Sequence, residues 1–309
     1  MLPPRVIALL GFGEAGSAIA RGLCANGGWR GLPRPGDNAP RSLIAIDTAL
    51  DKDARGMALG NAARALNVAI GGSYTAVLSE ADLVLSAVPG EHALEAAQSA
   101  APLLKKGAYF LDLCTVTGRM AGDDRGAIEA VGAHYIDIAV MGGFFKSGIK
   151  APMLVAGEEV ESVVAWMNQT GFDAKKLGRK PGSASSVKML RSVIMKGLED
   201  LAVESLVAAE RQGILEEVLD CFGDADQLSF RDFIGTLVRT HVVHAHRRWE
   251  EMGLVARTLE ETGVEPLMTR AIEMAHRRTV DANVAPPDGQ VPSLADALAL
   301  LSQKVVRGG

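Results

Sequence analysis

Short apolar runs alternate with longer amphipathic stretches through the first half of the chain. Each run is too short for a stable helix, and most are bounded by Gly, Asp or Pro, which is typical of buried strands. Strands are predicted at residues 5–10, 42–47, 82–88, 108–113, 134–141 and 153–156. Segments rich in Ala, Leu, Glu and Arg predict helices at residues 15–26, 52–66, 91–104, 120–131 and 160–169. This alternation predicts an α/β fold, a Rossmann-type doubly wound parallel sheet with helices on both faces.

The pattern changes after Gly182. Apolar positions keep helical spacing through residues 183–212, interrupted only by Gly197, and at ~1.5 Å per residue they predict a helix on the order of 45 Å long. Further helices are predicted at residues 230–243, 255–262 and 293–305, the last after a turn-rich linker with Pro286, Pro287, Gly289 and Pro292. We therefore expect an α/β domain at residues 1–181 and an all-α domain at residues 182–309, joined by the long helix.

Composition narrows the functional classes. Apolar residues make up 48% and charged residues 22%, as in soluble globular proteins, and the net charge of −5 argues against a general nucleic-acid binder. No apolar run approaches the roughly 18 residues that span a bilayer, and Met1–Arg5 begins no secretory signal. Cys24, Cys114 and Cys221 form no Cys-x-x-Cys pair, which fits a reducing compartment and argues against a zinc site. We expect a cytoplasmic protein whose partner is a small molecule, neither a nucleic acid nor a membrane.

The first chemical motif is a glycine-rich turn between the first strand and the first helix. It consists of Gly11, Phe12, Gly13, Glu14, Ala15 and Gly16. Gly11 permits the tight turn, Gly13 lets a pyrophosphate approach the backbone, and Gly16 lets helix and strand pack closely. The helix N-terminus adds N–H donors and positive potential for the phosphates. The motif therefore predicts a dinucleotide-binding site.

The choice of dinucleotide depends on Asp47, at the end of the second strand. An acidic residue there accepts hydrogen bonds from the adenosine ribose and repels a 2′-phosphate, which favours NAD over NADP. A turn-rich loop at residues 27–36 makes the interval from Gly16 longer than the roughly 20 residues that are typical. NADP stays open as cofactor, because candidate ligands for a 2′-phosphate lie in or near this loop: Arg30, Arg34 and Arg41. The alternative for Asp47 is a cap of the next helix.

Three further segments follow strands at the edge where ligands bind in open α/β sheets. Val88 and Pro89 are predicted beside the cofactor, and Thr115 offers a hydroxyl. Gly142 and Gly143 expose backbone N–H groups that can hold a carboxylate. Taken singly, each segment also fits a helix cap or a tight turn.

Lys188 lies near the start of the long helix, with Arg191, Ser192 and Met195 at helical spacing. A cation near a helix N-terminus opposes the helix dipole, which lowers its pKa. A lysine of lowered pKa suits general acid or base catalysis near neutral pH. The alternative is a solvated surface lysine.

Together these motifs resemble the β-hydroxyacid dehydrogenase family, relatives of 6-phosphogluconate dehydrogenase. The resemblance rests on the order Gly-x-Gly-x-x-Gly, Asp-x-[Ser/Cys]-Thr, a strand ending in Gly-Gly, and Gly-x-x-x-x-x-Lys. It implies that Gly142, Gly143 and Thr115 hold the substrate and that Lys188 is the catalytic acid/base. It also implies hydride transfer between a nicotinamide cofactor and a small hydroxy acid or related carbonyl compound.

Two positions depart from the family pattern. Cys114 replaces the usual Ser, and Ser192 replaces the Asn that orients substrate and lysine in the family. The change at Ser192 keeps open a non-catalytic nucleotide-sensing protein. The alternative among enzymes is an imine or carbonyl reductase on the same scaffold, which turnover with NADPH alone would favour. The C-terminal part resembles a poorly characterised subgroup of these dehydrogenases, and the length of the helix at residues 183–212 suggests a homodimer.

Three histidines, His241, His244 and His246, lie on one predicted helix. Only His241 and His244 share a face, and no carboxylate stands at a clear ligand spacing. The sequence therefore favours an interface or substrate role for these histidines over a metal site.

Overall fold

The computed structural model describes residues 3–30, 41–50, 52–284, 286 and 290–306 of the chain. Arg34, a predicted candidate for the 2′-phosphate, lies outside the described residues, as do Pro287 and Gly289 of the predicted linker. The chain divides into two compact units, Met1–Arg191 and Ser192–Gly309. This division runs through the long helix, whereas the sequence suggested a boundary at Gly182.

The first unit is built on one sheet of eight strands. The strands are β1 (Val6–Leu10), β2 (Ser42–Ile46), β3 (Ala69–Ile70), β4 (Leu83–Ser86), β5 (Tyr109–Asp112), β6 (His134–Val140), β7 (Pro152–Ala156) and β8 (Asp173–Gly178). Their order is β3-β2-β1-β4-β5-β6-β7-β8, and the first six are parallel. The order reverses between β1 and β4, which opens a crevice at the carboxyl ends of these two strands. The predicted Rossmann-type doubly wound fold is confirmed.

The sheet departs from the parallel arrangement at one end. Strand β7 runs antiparallel to β6, with Asp137 opposite Ala156, and β8 is parallel to β7. Only short helical turns at Phe144–Ser147 and Gly148–Lys150 join β6 to β7. A parallel pairing needs a crossover of a dozen or more residues, so this connection is too short for one.

Seven helices flank the sheet among the described residues of this unit. They are α1 (Glu14–Gly27), α2 (Ala54–Ala65), α3 (Tyr74–Leu78), α4 (Ala93–Ala100), α5 (Gly118–Glu129), α6 (Phe144–Ser147) and α7 (Val160–Gln169). Strand β1 shows why both sheet faces are covered: Ile7 and Leu9 belong to one apolar cluster, and Ala8 and Leu10 to another. Successive strand residues point to opposite faces, so an apolar strand of this kind needs a layer on each side.

The second unit contains helices and no strand among its described residues. Helix α8 (Ser183–Gln212) enters it from the first unit and is followed by α9 (Leu215–Asp220), α10 (Phe230–Glu261), α11 (Leu267–Asp281) and α12 (Leu294–Lys304). The buried carboxylate of Glu204 on α8 caps α11, because it accepts hydrogen bonds from the backbone N–H groups of Met268 (2.5 Å) and Thr269 (3.1 Å). In the part of the chain that the structure describes, no helix is both long and apolar enough to cross a membrane.

Candidate active site

The glycine turn joins β1 to α1 and is built on close backbone contacts. Gly11 has a φ of +86°, and a Cβ there would lie 2.6 Å from the carbonyl oxygen of Ala87. A Cβ on Gly16 would lie 2.1 Å from the carbonyl oxygen of Gly11, so a side chain there would push α1 off the turn. By contrast, a Cβ on Gly13, the N-cap of α1, would meet nothing within 4 Å. The first turn of α1, with Glu14 exposed, therefore points its free N–H groups into open space.

Asp47 ties the end of β2 to the glycine turn. Its Oδ2 accepts a hydrogen bond from the backbone N–H of Phe12 (2.7 Å), and its Oδ1 accepts one from that of Ala49 (2.8 Å). A carboxylate has about four acceptor sites, so Asp47 can still accept hydrogen bonds from a ligand. The helix-cap alternative for Asp47 is wrong, because α2 is capped by Asp53 through the N–H of Gly56 (2.7 Å).

An open cleft of about 650 Å³ faces the glycine turn. Gly11, Gly13 and Asp47 line one side, and Val88 and Pro89 follow β4 into it. Its other lining residues include the polar side chains of Thr48, Arg55, Tyr74, His92, Glu95 and Ser99. Phe12 and Ala15, also in the predicted motif, contribute differently: Phe12 is buried in the core and Ala15 is half-buried in α1. A dinucleotide requires a helix N-terminus, a backbone that side chains do not cover and a carboxylate at the end of the second strand. These residues therefore fit one.

Lys188 and Thr115 meet at the same edge of the sheet. The Nζ of Lys188 donates a hydrogen bond of 2.8 Å to the Oγ1 of Thr115, just after β5. The start of α8 is fixed by Asp137 on β6, whose Oδ2 accepts the backbone N–H groups of Ala184 (2.9 Å) and Ser185 (3.2 Å). The Oδ1 of Asp137 accepts the Ser185 hydroxyl at 2.6 Å. Asp137 thus acts as a helix cap from the sheet and places Lys188 over Thr115.

Thr115 also lies next to the open cleft that faces the glycine turn. A Cβ on Gly90 would lie 2.1 Å from the carbonyl oxygen of Thr115. Gly90 directly follows Pro89, which lines the cleft. The Thr115–Lys188 pair is therefore adjacent to the predicted cofactor wall.

The environment of Lys188 favours its neutral form. Burial lowers the pKa of Lys188, and the neighbouring Cys114 opposes this to a smaller extent. The direction agrees with the sequence argument, but the main cause is burial and not the helix dipole. Burial also raises the pKa of Cys114, which is therefore a neutral thiol at ordinary pH.

The remaining predicted substrate residues lie at less enclosed positions. Gly142 and Gly143 follow β6, are exposed, and have open space where a side chain would be. No hydrogen bond between described residues joins either glycine to Thr115 or Lys188. Ser192 lies one helical turn after Lys188 on α8, at the start of the second unit.

The histidines of α10 have distinct surroundings. His241 is hydrogen-bonded through Nε2 to the hydroxyl of Thr279 on α11 (2.8 Å), and its ring centroid lies 4.7 Å from that of His276. Burial, and then the charges of His276, Arg248 and Arg278, lower the pKa of His241 to about 4. His244 is half-buried and His246 is exposed. Among the described residues no group of three potential His, Cys, Asp or Glu ligands could hold a metal ion.

Three buried acidic residues near this edge, Asp112, Asp124 and Asp137, had no role assigned from the sequence, although Asp112 stands in the Asp-x-[Ser/Cys]-Thr motif. For two of them a signal was present, because Asp112 and Asp137 interrupt otherwise apolar strand segments. An acid in such a position needs a hydrogen-bond partner or a proton. Asp124, beside Asp123 and Arg125, looked like part of a solvated helix face.

Comparison with known proteins bears on the fold and the family of the chain. Residues 209–279 match the family model described as a domain of unknown function, DUF1932. The chain is 33% identical to a conserved hypothetical protein from Sinorhizobium meliloti, over 97% of this chain and 96% of that one, with a TM-score of 0.58. It is 26% identical, over 90% and 97% of the two chains, to a conserved protein of unknown function that was described as structurally similar to 3-hydroxyacid dehydrogenases (TM-score 0.56).

The fold is also shared with a protein of much lower sequence identity. A reductive aminase from Aspergillus terreus, solved with NADPH and ethyl levulinate, superimposes with a TM-score of 0.72 over 96% of this chain and 99% of that one. At 16% identity this shows a shared fold. The chain belongs to the β-hydroxyacid dehydrogenase-like family, in the subgroup whose helical C-terminal part carries the DUF1932 domain.

Proposed function

We propose that the chain is an NAD(P)-dependent oxidoreductase that acts on a small hydroxy acid or a related carbonyl compound. The observation that carries the proposal is the 2.8 Å contact between Lys188 and Thr115 beside the cofactor cleft. A lysine that serves only solubility would extend into water, whereas this one is half-buried on a hydroxyl. The arrangement supplies a proton donor or acceptor where a substrate oxygen would lie.

The cofactor side of the site follows from the glycine turn. The N–H groups of α1 would hold the pyrophosphate, and the open space at Gly13 lets it approach. The free acceptor sites of Asp47 would bind the adenosine ribose, and Val88 and Pro89 would form the inner wall. When bound, a nicotinamide dinucleotide supplies the hydride acceptor or donor of the reaction.

The protein residues handle the proton and the substrate. In the oxidative direction, neutral Lys188 takes the hydroxyl proton at Nζ; in the reductive direction its ammonium returns that proton to the carbonyl oxygen. The lowered pKa of Lys188 increases the fraction of neutral amine near pH 7. Thr115 holds Nζ in place, while the N–H groups of Gly142 and Gly143 and the hydroxyl of Ser192 are proposed as substrate anchors.

Two observations bear on the choice of dinucleotide. The negative charge of Asp47 disfavours a 2′-phosphate, which supports NAD. Arg55 lies in the same cleft and offers a cation to that phosphate, and the reductive aminase of similar fold was solved with NADPH. We retain NAD as the expected cofactor because Asp47 stands directly at the end of β2 and contacts the glycine turn.

An imine or carbonyl reductase is the second candidate, and the likeness to the reductive aminase over nearly the whole chain favours it. The test titrates NAD and NADP separately and then screens hydroxy acids, ketones and imines for a change in reduced-cofactor absorbance. Oxidation of hydroxy acids with NAD supports the proposal; turnover of imines with NADPH alone supports the reductase. Tight cofactor binding without turnover of any substrate supports the non-catalytic nucleotide sensor.

We also infer a homodimer. Helices of the second unit leave large apolar side chains exposed on a single chain, including Val193 (71%) and Val203 (57%) on α8 and Leu267 (65%) and Met274 (66%) on α11. Exposed apolar surface of this extent is typical of an association surface.

A further inference from the structure

A buried pair of carboxyl groups lies behind the segment that carries Thr115. Asp112 ends β5 and is 3% exposed, and Asp124 on α5 has no exposed surface. Neither lines the open cleft, and no hydrogen bond between described residues joins either of them to Lys188. Two ionised carboxylates buried close together repel each other and lack solvation, so such a pair is stable only when one member carries a proton.

The hydrogen bonds of the two side chains are unequal. Asp112 accepts one from the backbone N–H of Cys114 at Oδ1 and one from the hydroxyl of Tyr135 at Oδ2, each at 2.9 Å. Both oxygens of Asp124 are buried, and neither has a hydrogen-bond partner of its own among the described residues. Donors stabilise a negative charge on Asp112 but not on Asp124, so the proton belongs on Asp124.

A protonated Asp124 can satisfy both groups. Its O–H is a donor, and the Asp112 carboxylate has acceptor sites that Cys114 and Tyr135 do not occupy. Burial and then the charge of Asp112 raise the pKa of Asp124 to about 7, and the hydrogen bond that the protonated Asp124 donates to Asp112 acts in the same direction. The other titratable groups that face the pair are Asp123 on α5, Cys114 after β5, Tyr135 on β6 and, through its charge on Asp112, Asp137 on β6.

Asp112 in turn fixes the backbone that leads to Thr115. It holds the N–H of Cys114, whose Sγ lies 3.5 Å from the hydroxyl of Ser86. The carbonyl of Thr115 packs against Gly90 with no room for a side chain. A segment held so tightly transmits a shift of Asp112 to Thr115.

We propose that Asp112 and Asp124 share one proton and act as positioning residues for Thr115 and, through it, for Lys188. This inference takes only one point from the proposed function, namely that Lys188 takes part in a reaction. Loss of the proton breaks the hydrogen bond between the two carboxyl groups and leaves two buried charges that repel. The Thr115 segment then moves and its contact with Lys188 opens, so the site is intact only while Asp124 is neutral.

The first test needs no substrate. The rate at which acetic anhydride acetylates Lys188 is followed by peptide mass spectrometry from about pH 6 to about pH 9, a range that brackets the pKa of Asp124. The unmodified protein is compared with Asp124→Asn, which mimics the neutral acid, and with the control Asp123→Asn. Asp123 is an exposed neighbour on the same helix whose charge is the smallest contribution to the pKa of Asp124, so the step of this control should persist at a slightly lower pH. The unmodified protein and the control should show an extra increase of about tenfold near pH 7, the factor that corresponds to the loss of one ordinary hydrogen bond. Asp124→Asn should lack that step.

Three results would overturn the proposal: no step in the unmodified protein, the same step in Asp124→Asn, or failure of Asp124→Asn to fold at about pH 6, where Asn stands in for the acid. Infrared spectra of the unmodified protein give an independent measurement. A protonated carboxyl band should be present at about pH 6 and absent at about pH 9, since it reports the proton on Asp124 directly. Absence of that band at the lower pH would contradict the shared proton.

Turnover separates this inference from the proposed function. With a turned-over substrate, kcat/KM of Asp124→Asn should match the unmodified protein at about pH 6 and exceed it about tenfold at about pH 9. If no substrate is turned over by any variant, the proposed function fails and the acetylation profile still decides on the carboxyl pair. If turnover is found and the pH profiles of the unmodified protein, Asp124→Asn and Asp123→Asn coincide, the shared proton is refuted and the proposed function stands.

Discussion

The Nζ of Lys188 lies 2.8 Å from the Oγ1 of Thr115, a residue 73 positions earlier in the chain. The contact joins the second turn of α8 to the loop after β5, next to the wall of the cofactor cleft. It places an amine of lowered pKa where the proposed reaction needs proton transfer.

Replacing Lys188 with Met keeps the length and helix propensity of the side chain and removes the amine. Turnover should fall by roughly 10² to 10⁴, the usual contribution of general acid–base catalysis, while cofactor affinity hardly changes. Steady-state kinetics and cofactor titration measure the two effects. Lys196→Met, at an exposed position on the same helix, is the matched control and should keep near-normal activity. Near-normal turnover of Lys188→Met would contradict the proposed role, and joint loss of cofactor binding and activity would indicate a folding role.

Removing the carboxylate of Asp47 should weaken NAD binding. Asp47→Ala should cost on the order of 1.5–3 kcal/mol in NAD affinity, because a charge-assisted contact is lost, and should narrow the gap between NAD and NADP. Asp47→Asn keeps an acceptor for the N–H of Phe12 but removes the charge, so it isolates the repulsion of the 2′-phosphate. Calorimetric titration with both cofactors measures the gap. Tighter binding of NADP than NAD by the unmodified protein would refute the preference.

Two glycines of the turn should respond differently to alanine. A methyl group on Gly16 collides with the carbonyl of Gly11, so Gly16→Ala should lower both the melting temperature and the cofactor affinity. A methyl group on Gly13 meets no protein atom within 4 Å and projects into the space where we propose that the pyrophosphate binds. Gly13→Ala should therefore keep the melting temperature and lose affinity alone. Unchanged cofactor affinity of Gly13→Ala would place the dinucleotide elsewhere.

Acid should destabilise the second unit through His241. Its pKa is about 4 in the folded protein and 6.5 in the reference state, so the unfolded chain takes up the proton first. The stabilising contribution is complete above about pH 6.5 and declines as the pH falls toward 4. Urea unfolding at several pH values measures the slope. His241→Gln should flatten it, whereas the exposed-site control His246→Gln should not, and equal slopes in all three proteins would rule out His241 as the source.

The homodimer predicts a mass of twice 32.5 kDa by light scattering. Val193 is 71% exposed on α8. A charge in its place should weaken the dimer if the second copy of the chain covers this face of α8. Val193→Asp is therefore expected to shift the mass toward the monomer, with unchanged circular dichroism. A monomeric mass for the unmodified protein would refute the dimer.

Hydrophobic patterning predicted most of the sheet, because the central strands are apolar on both faces. It missed β3, which has two residues, and β8, whose sequence Asp173–Gly178 is largely polar because it is an edge strand with exposed residues. Helix α10 was predicted in two pieces, since a polar stretch at residues 244–251 hides its continuity, and α11 was missed because it buries few apolar side chains. Tertiary packing determines whether such elements form, and the propensities of single residues carry no information about that packing.

Only those residues of the candidate site that belong to recognisable motifs could be predicted from the sequence. Glycine spacing identified the turn, and family resemblance identified Thr115 and Lys188. The role of Asp137 depends on a hydrogen bond to residues 47 and 48 positions away, and the Asp112–Asp124 pair depends on the packing of α5 against the sheet. Contacts of such separation leave no periodic trace in a single sequence.

The cap that Asp137 places on α8 has a consequence for exchanging parts between relatives. In a chimaera joined at Gly182, Asp137 would come from one parent and the start of α8 from the other. The residue at position 188 would then also come from the second parent. A join after Arg191 keeps the cap, Thr115 and Lys188 from one parent, because the compact unit Met1–Arg191 includes all of them. The proposed chemistry would then be inherited with the first unit, and the helices that follow would be free to diverge with the substrate.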